Sequence, residues 1–159
     1  MKIALAADHA GFELKEKIRQ HLAERGITVD DLGTNSSDPV DYPDYARVVG
    51  EEVADKRADY GILVCGTGIG MCMAANKLAG IRAAHVSSEV EAQLSREHNN
   101  ANVLTVGARL IEESAALKIV DRWLNTAFSG GHHQRRVEKI SQLEHTEIRP
   151  LAARLKTGS

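Results

Sequence analysis

Short apolar runs alternate with amphipathic stretches of helical length along almost the whole chain, and this alternation constrains the fold more than any other feature. The runs "KIALAA", "ITVDDLG", "YGILVC", "GIRAAHV" and "VLTVG" read as strands. Between and after them lie "FELKEKIRQHLAERG", "DYARVVGEEVADKRA", the stretch following "CGTGIG", "SSEVEAQLSREHN", "ESAALKIVDRWLNTAF" and "HHQRRVEKISQLEHTE", which read as helices. In the first of these, Phe12, Leu14, Ile18 and Leu22 fall at roughly helical spacing, and Gly26 is a natural stop. The segment "TNSSDPVDYP" collects turn formers and reads as a loop that carries Tyr42. "YGILVC" is apolar enough to be buried on both faces, the mark of a parallel strand. Strands separated by helices need crossovers, and crossovers are right-handed. The expected fold is therefore α/β: a single Rossmann-like three-layer domain with a five-stranded parallel sheet. It is expected to span residues 1–147. Pro150 breaks the chain beyond it, so residues 148–159 are expected to form a C-terminal extension, frayed or packed on a dimer.

Composition removes several function classes. At 159 residues and 43% hydrophobic, the chain suits one domain with a real core. A net charge of −2 gives no pull toward nucleic acid or an anionic membrane, and 4% aromatic residues provide no base-stacking platform. No apolar stretch is long enough to span a bilayer, and "MKIALAADHAGFELK" reads as a first strand rather than a signal peptide. Cys65 and Cys72 are the only cysteines, and their spacing fits neither a redox pair nor a zinc knuckle. A reducing cytoplasm is the expected location.

Ligands of such sheets bind outside the carboxyl ends of the strands. Here those ends are "DHAG", "CGTGIG", the serines after the fourth strand and the "GAR" turn after the fifth, with "DYP" in the loop after the second. The glycines Gly66, Gly68 and Gly70 do not make a dinucleotide fingerprint. Met71 stands where its last glycine belongs, and the turn follows the third strand rather than the first. Two readings remain: a tight strand–helix turn that needs small residues, or a nest of backbone N–H groups, Ile69 included, for an anion. Cys65 has two readings as well, a small buried hydrophobe or a thiolate favoured by a helix N-terminus. Cys72 reads as packing. Asp8 and His9 lie where ligands bind. His98 is either part of a plain helix end or a ring-opening acid/base, and Asn99 beside it is a helix cap or a hydroxyl binder. Tyr42 is a loop anchor or a hydroxyl aimed into the crevice. Arg109 is a cation at a strand end, and His132, His133, Arg135 and Arg136 surround a helix start suited to a phosphate ester. His21 and His145 read as solvated and His85 as structural.

Taken in order, "AADHAGFELK", "DYPDYA", "CGTGIGMCMAANK", "GIRAA", "REHNNANVLTVGAR" and "GGHHQRRVEKI" resemble the sugar-phosphate isomerase family that includes ribose-5-phosphate isomerase B and the allose-6-phosphate and galactose-6-phosphate isomerases. The resemblance runs to about residue 147. It implies an aldose–ketose isomerase that uses no metal or cofactor and moves a proton between C1 and C2 through a cis-enediolate, with ribose 5-phosphate as the substrate and allose or galactose 6-phosphate as alternatives. It also implies roles. Cys65 would shuttle the proton, Thr67 would assist at the sugar oxygens, and the amides of Gly66 to Gly70 would stabilise the enediolate. His98 would open the furanose. Asp8, His9, Tyr42 and Asn99 would bind hydroxyls or help ring opening, and Arg109 and Arg136 would hold the phosphate. The site would lie at the interface of a homodimer, or of a tetramer built from it, with the C-terminal basic residues coming from the partner. One branch of the family uses a glutamate base where this chain has Met71, so the chain sides with the cysteine type. His132 replaces a family arginine. A histidine is shorter and only partly charged near neutrality, which weakens phosphate binding, makes it more pH-dependent or shifts the preferred sugar. The competing classes are a non-catalytic nucleotide- or metabolite-binding module on the same scaffold, and a cysteine-nucleophile hydrolase.

Overall fold

The computed structural model describes residues 1–146. The expected extension over residues 148–159 lies outside them. In chain order the elements are β1 (Lys2–Ala7), α1 (Phe12–Glu24), β2 (Thr28–Asp31), α2 (Tyr42–Ala54), β3 (Tyr60–Cys65), α3 (Ile69–Ala75), β4 (Ala83–His85), α4 (Glu89–Asn99), β5 (Val103–Gly107), α5 (Glu113–Leu124) and α6 (His132–Leu143). The five strands form one parallel sheet in the order β2-β1-β3-β5-β4. The expected three-layer α/β architecture is observed.

Alternation within the central strands builds a different core on each face. Ile3 and Leu5 of β1 and Ile62 and Val64 of β3 pack with Leu14, Ile18 and Leu22 of α1 and Ile119 and Trp123 of α5. Ala4, Ala6, Leu63 and Cys65 point the other way, toward Ala46, Val49 and Val53 of α2 and Met71 and Ala75 of α3. Alanines on that face let α2 approach closely. The same alternation puts the Cys65 side chain on the α3 side.

Two buried cations fix the connections. The Lys15 side chain is fully buried, and its Nζ donates to both carboxylate oxygens of Asp31 at 2.7 and 2.8 Å. Asp31 Oδ1 also accepts from the Gly33 N–H at 3.0 Å, which ties the loop after β2 to α1. Arg96, 5% exposed, closes α4. Its guanidinium donates to Asn100 Oδ1, the Ala101 carbonyl, Tyr60 Oη and the Thr126 carbonyl, and lies over the rings of Tyr60 and Trp123.

Three expectations need correction. Tyr42 is the first residue of α2, not part of the preceding loop. Pro43 marks that helix start, because a first-turn proline gives up no intrahelical hydrogen bond. Both α5 and α6 stop four residues short of the apolar pattern, at Leu124 and Leu143. His21 is not solvated: its Nε2 lies 2.8 Å from Asp121 of α5.

Candidate active site

The strand order changes direction between β1 and β3, so the crevice outside their carboxyl ends is the natural binding site of this sheet. Cys65 ends β3 there and is 5% exposed. Its Sγ accepts the Gly68 N–H at 3.1 Å. Gly68 has φ +78°, and a Cβ at that position would stand 2.7 Å from His85 Nδ1 and 2.8 Å from the Val106 carbonyl carbon. Backbone conformation and space both require glycine. The Thr105 hydroxyl donates to the Gly68 carbonyl at 2.9 Å and pins the turn to β5. Thr67 is exposed, and its Oγ1 accepts from the Ile69 N–H at 3.3 Å. Among the described residues, the N–H groups of Gly66, Thr67 and Gly70 make no hydrogen bond. A buried thiol therefore sits on a turn with unused donors, which suits chemistry that develops negative charge on oxygen.

The neighbouring side chains fill in the crevice. Tyr42 lies against Gly70, where a Cβ would come 2.7 Å from Cζ and 3.0 Å from the hydroxyl. Arg109 lies across Gly66, with Nη1 3.0 Å from a Cβ built there, and its N–H donates to the Gly66 carbonyl at 3.0 Å. Asp8 is buried. Its N–H donates to the Val64 carbonyl at 3.1 Å, and its Oδ1 accepts from the Gly11 N–H at 3.0 Å. His9 Nδ1 accepts the Val40 N–H at 3.2 Å, which places the proton of its neutral ring on Nε2. Asp8, His9, Tyr42, Cys65, Gly66 to Gly70 and Arg109 thus gather at one edge.

His98 and Asn99 do not join them. They occupy the last turn of α4, which leads through Asn100 (φ +46°) to Val103 at the amino end of β5. Val103 pairs with Gly61, four residues before Cys65, a span of about 13 Å along the strand. At this opposite edge His98 stacks on His133, with centroids 4.2 Å apart and planes 13° apart. His133 also packs on His132 at 4.0 Å and 39°. Arg136 follows on α6. The Ser129 N–H donates to the Glu97 carbonyl at 3.1 Å and holds the approach to α6 against α4. The His133 pKa is pushed below the usual histidine value, first by desolvation, then by coulombic repulsion from His132, His98 and Arg136, with Glu97 opposing. One chain therefore carries two groups of the expected site residues, at opposite edges of its sheet.

The sequence places His133 only among the phosphate-suited residues of a helix start and His85 only as structural. It gives Arg96 no role, although Arg96 follows Ala92 by one helical turn on the buried face of α4. His85 Nδ1 is buried against Gly68 and has no hydrogen-bond partner among the described residues. Among those residues no three His, Cys, Asp or Glu side chains converge as metal ligands would.

Residues 3–140 match the model of the family described as Ribose/Galactose Isomerase. The chain belongs to the Ribose/Galactose Isomerase family. Within this family it is similar to ribose-5-phosphate isomerase B of Escherichia coli (strain K12), with 52% identity over 90% of this chain and 96% of that protein. A solved structure of Clostridium thermocellum ribose-5-phosphate isomerase B superposes with a TM-score of 0.90 at 47% identity, covering 91% of this chain and 98% of that one. The Mycoplasma genitalium ribose-5-phosphate isomerase B, solved with bound ribulose 5-phosphate, gives a TM-score of 0.89 at 47% identity, covering 92% and 97%. Among the described residues no helix is long and apolar enough to cross a membrane.

Proposed function

We propose that this protein interconverts ribose 5-phosphate and ribulose 5-phosphate through a cis-enediolate, in the cytoplasm, with Cys65 as the proton shuttle. The observation that carries the reading is the buried Cys65 thiol, which receives the Gly68 N–H on a turn where, among the described residues, the N–H groups of Gly66, Thr67 and Gly70 stand unused. Family membership and the sugar phosphate bound by the Mycoplasma genitalium relative support the substrate. Two free cysteines suit the location.

The residues divide the work. Ring opening comes first. The C1–O4 bond of the furanose breaks, its electron pair goes to O4, which gains a proton, and O1 loses one as C1=O1 forms. His98 moves these protons. Cys65 then takes the C2 proton while charge builds on O1, and the amides of Gly66 to Gly70 stabilise that charge. Cys65 returns the proton to C1. Thr67 helps transfer the remaining proton between O2 and O1, and the ketose results. Asp8, His9, Tyr42 and Asn99 bind hydroxyls. Arg109, Arg136 and His132 hold the phosphate. A nucleotide-binding module is not favoured by the glycine spacing, and a hydrolase would need a covalent intermediate on Cys65.

The separation of Cys65 from His98 within one chain supports a homodimer in which each site takes Cys65 from one chain and His98, His132 and Arg136 from its partner. Exposed Ile69 and Met73 on α3 border the Cys65 turn and line a largely apolar groove, as such an interface requires. Conversion of ribose 5-phosphate in the presence of EDTA tests the activity, and full turnover by Cys65→Ala would refute the shuttle. Mixing tests the shared site. Cys65→Ala and His98→Gln chains are each expected to be inactive on the aldose. After exchange of subunits they should recover about a quarter of normal activity, because half of the dimers regain one intact site. No recovery would place both residues in one chain's site.

A further inference from the structure

A histidine that moves protons is ordinarily oriented by a hydrogen bond to one ring nitrogen, which leaves the other for chemistry. His98 is held differently. Among the described residues neither of its ring nitrogens makes a hydrogen bond, and the face of His133 meets it 13° from coplanar. The backbone beneath both rings is firm. Arg96 locks the end of α4, the Ser129–Glu97 hydrogen bond joins the two elements, and the His133 N–H donates to the Gly130 carbonyl at 3.1 Å.

We propose that His133 is a positioning residue for ring opening: it sets the imidazole plane of His98 by stacking, so that both His98 nitrogens remain available to the sugar. This rests on the role given to His98 above. The charges around the stack suit it. The titratable groups facing His133 are Glu97 and His98 from α4 and His132 and Arg136 from α6. Desolvation and its proximity to His132, His98 and Arg136 keep His133 less basic than an ordinary histidine, and Glu97 offsets this only in part. His133 is thereby biased toward a neutral π face, and such a face tolerates a proton on the ring it stacks against.

Two measurements separate this role from any other. Ribose 5-phosphate must be opened before it isomerises. The equilibrium constant ties the two directions together, so a fault in ring opening lowers kcat/KM alike for both sugars. Ribulose 5-phosphate has its C5 oxygen esterified and stays open-chain, and exchange of its C1 proton with D2O passes through the enediolate without any ring step. Steady-state conversion and C1 proton exchange by His133→Ala and His133→Phe give the test. His133→Ala should lose about tenfold or more in kcat/KM for ribose 5-phosphate, the scale of a misplaced catalytic group. Its exchange rate on ribulose 5-phosphate should stay within about threefold, and His133→Phe, flat but not titratable, should stay within about threefold in both measurements. Equal losses in conversion and exchange, no loss in either, or a phenylalanine variant as poor as the alanine one would overturn the proposal. Failure of the unaltered protein to convert ribose 5-phosphate would instead overturn the reading of the activity.

Discussion

Gly68→Ala tests the Cys65 turn at its tightest point. Two costs add. An alanine held at φ +78° is disfavoured by about 1–2 kcal/mol relative to glycine. Its methyl would also stand 2.7 Å from His85 Nδ1 and 2.8 Å from the Val106 carbonyl carbon. The imidazole can swing aside. Val106 cannot, because it is backbone within β5, which is paired on both edges, so the turn itself must move. Overpacking of this kind costs about 1–3 kcal/mol. The sum, about 2–5 kcal/mol, is smaller than the ~10 kcal/mol in the middle of the range for an ordinary domain, and the variant should fold. In a chain of this size Tm should drop by about 4–20 °C. The displaced turn withdraws the Gly68 N–H from Cys65 Sγ, and turnover should fall about 100-fold, the usual result of losing one preorganised donor. Calorimetry and steady-state isomerisation measure the two effects. Adding His85→Ala removes only the imidazole clash, so the double variant should recover less than half of the lost stability. A Gly68→Ala protein within about 2 °C of normal, with full turnover, would falsify the claim that φ and Val106 dictate glycine here. Complete rescue by His85→Ala would assign the whole cost to a side chain.

Other outcomes follow from the opposite edge and the core. His132→Arg should lower KM for ribose 5-phosphate and flatten its pH dependence, since a guanidinium stays charged where an imidazole loses its proton; an unchanged or higher KM would remove His132 from the phosphate. The depressed His133 pKa means that the unfolded chain binds more protons than the folded one just below the usual histidine value. Its contribution is intact above that value and is lost as pH falls. The Tm of His133→Phe should therefore drop less than that of the natural chain between about pH 7.5 and 5.5, and parallel Tm profiles would show that the shift is absent. Arg96→Lys should lose about 2–4 kcal/mol in urea denaturation, because an ammonium cannot reach Tyr60 Oη, Asn100 and two carbonyls at once. A loss under about 0.5 kcal/mol would mean that these contacts do not hold α4 in solution.

Much of the fold was legible because the sequence repeats one message: apolar strand, polar turn, amphipathic helix. "YGILVC" and "VLTVG" lie where β3 and β5 lie. The place of Tyr42 is not legible, because proline signals a loop and a helix start equally well. The His21–Asp121 pair joins residues 100 apart in the chain, and no local pattern encodes such a contact. In the site, the spacing of Gly66, Gly68 and Gly70 after Cys65 was informative because backbone geometry and strand end are local properties. The division into two edges was implicit as well, since His98 precedes the strand that Arg109 follows. The stack of His98 on His133 depends on how α6 returns across α4, which residue order does not reveal.

With the roles proposed for them, Cys65 at one edge of the sheet and His98 at the other would give each chain two half-sites and no whole one. On the shared-site reading, specific activity toward the aldose becomes a binding curve. It is flat in concentrated solution and falls in proportion to concentration once the enzyme is diluted below the dissociation constant of the pair. Substrate that touches both halves draws them together by mass action. Progress curves begun from very dilute enzyme would then show a lag that shortens as sugar phosphate is raised.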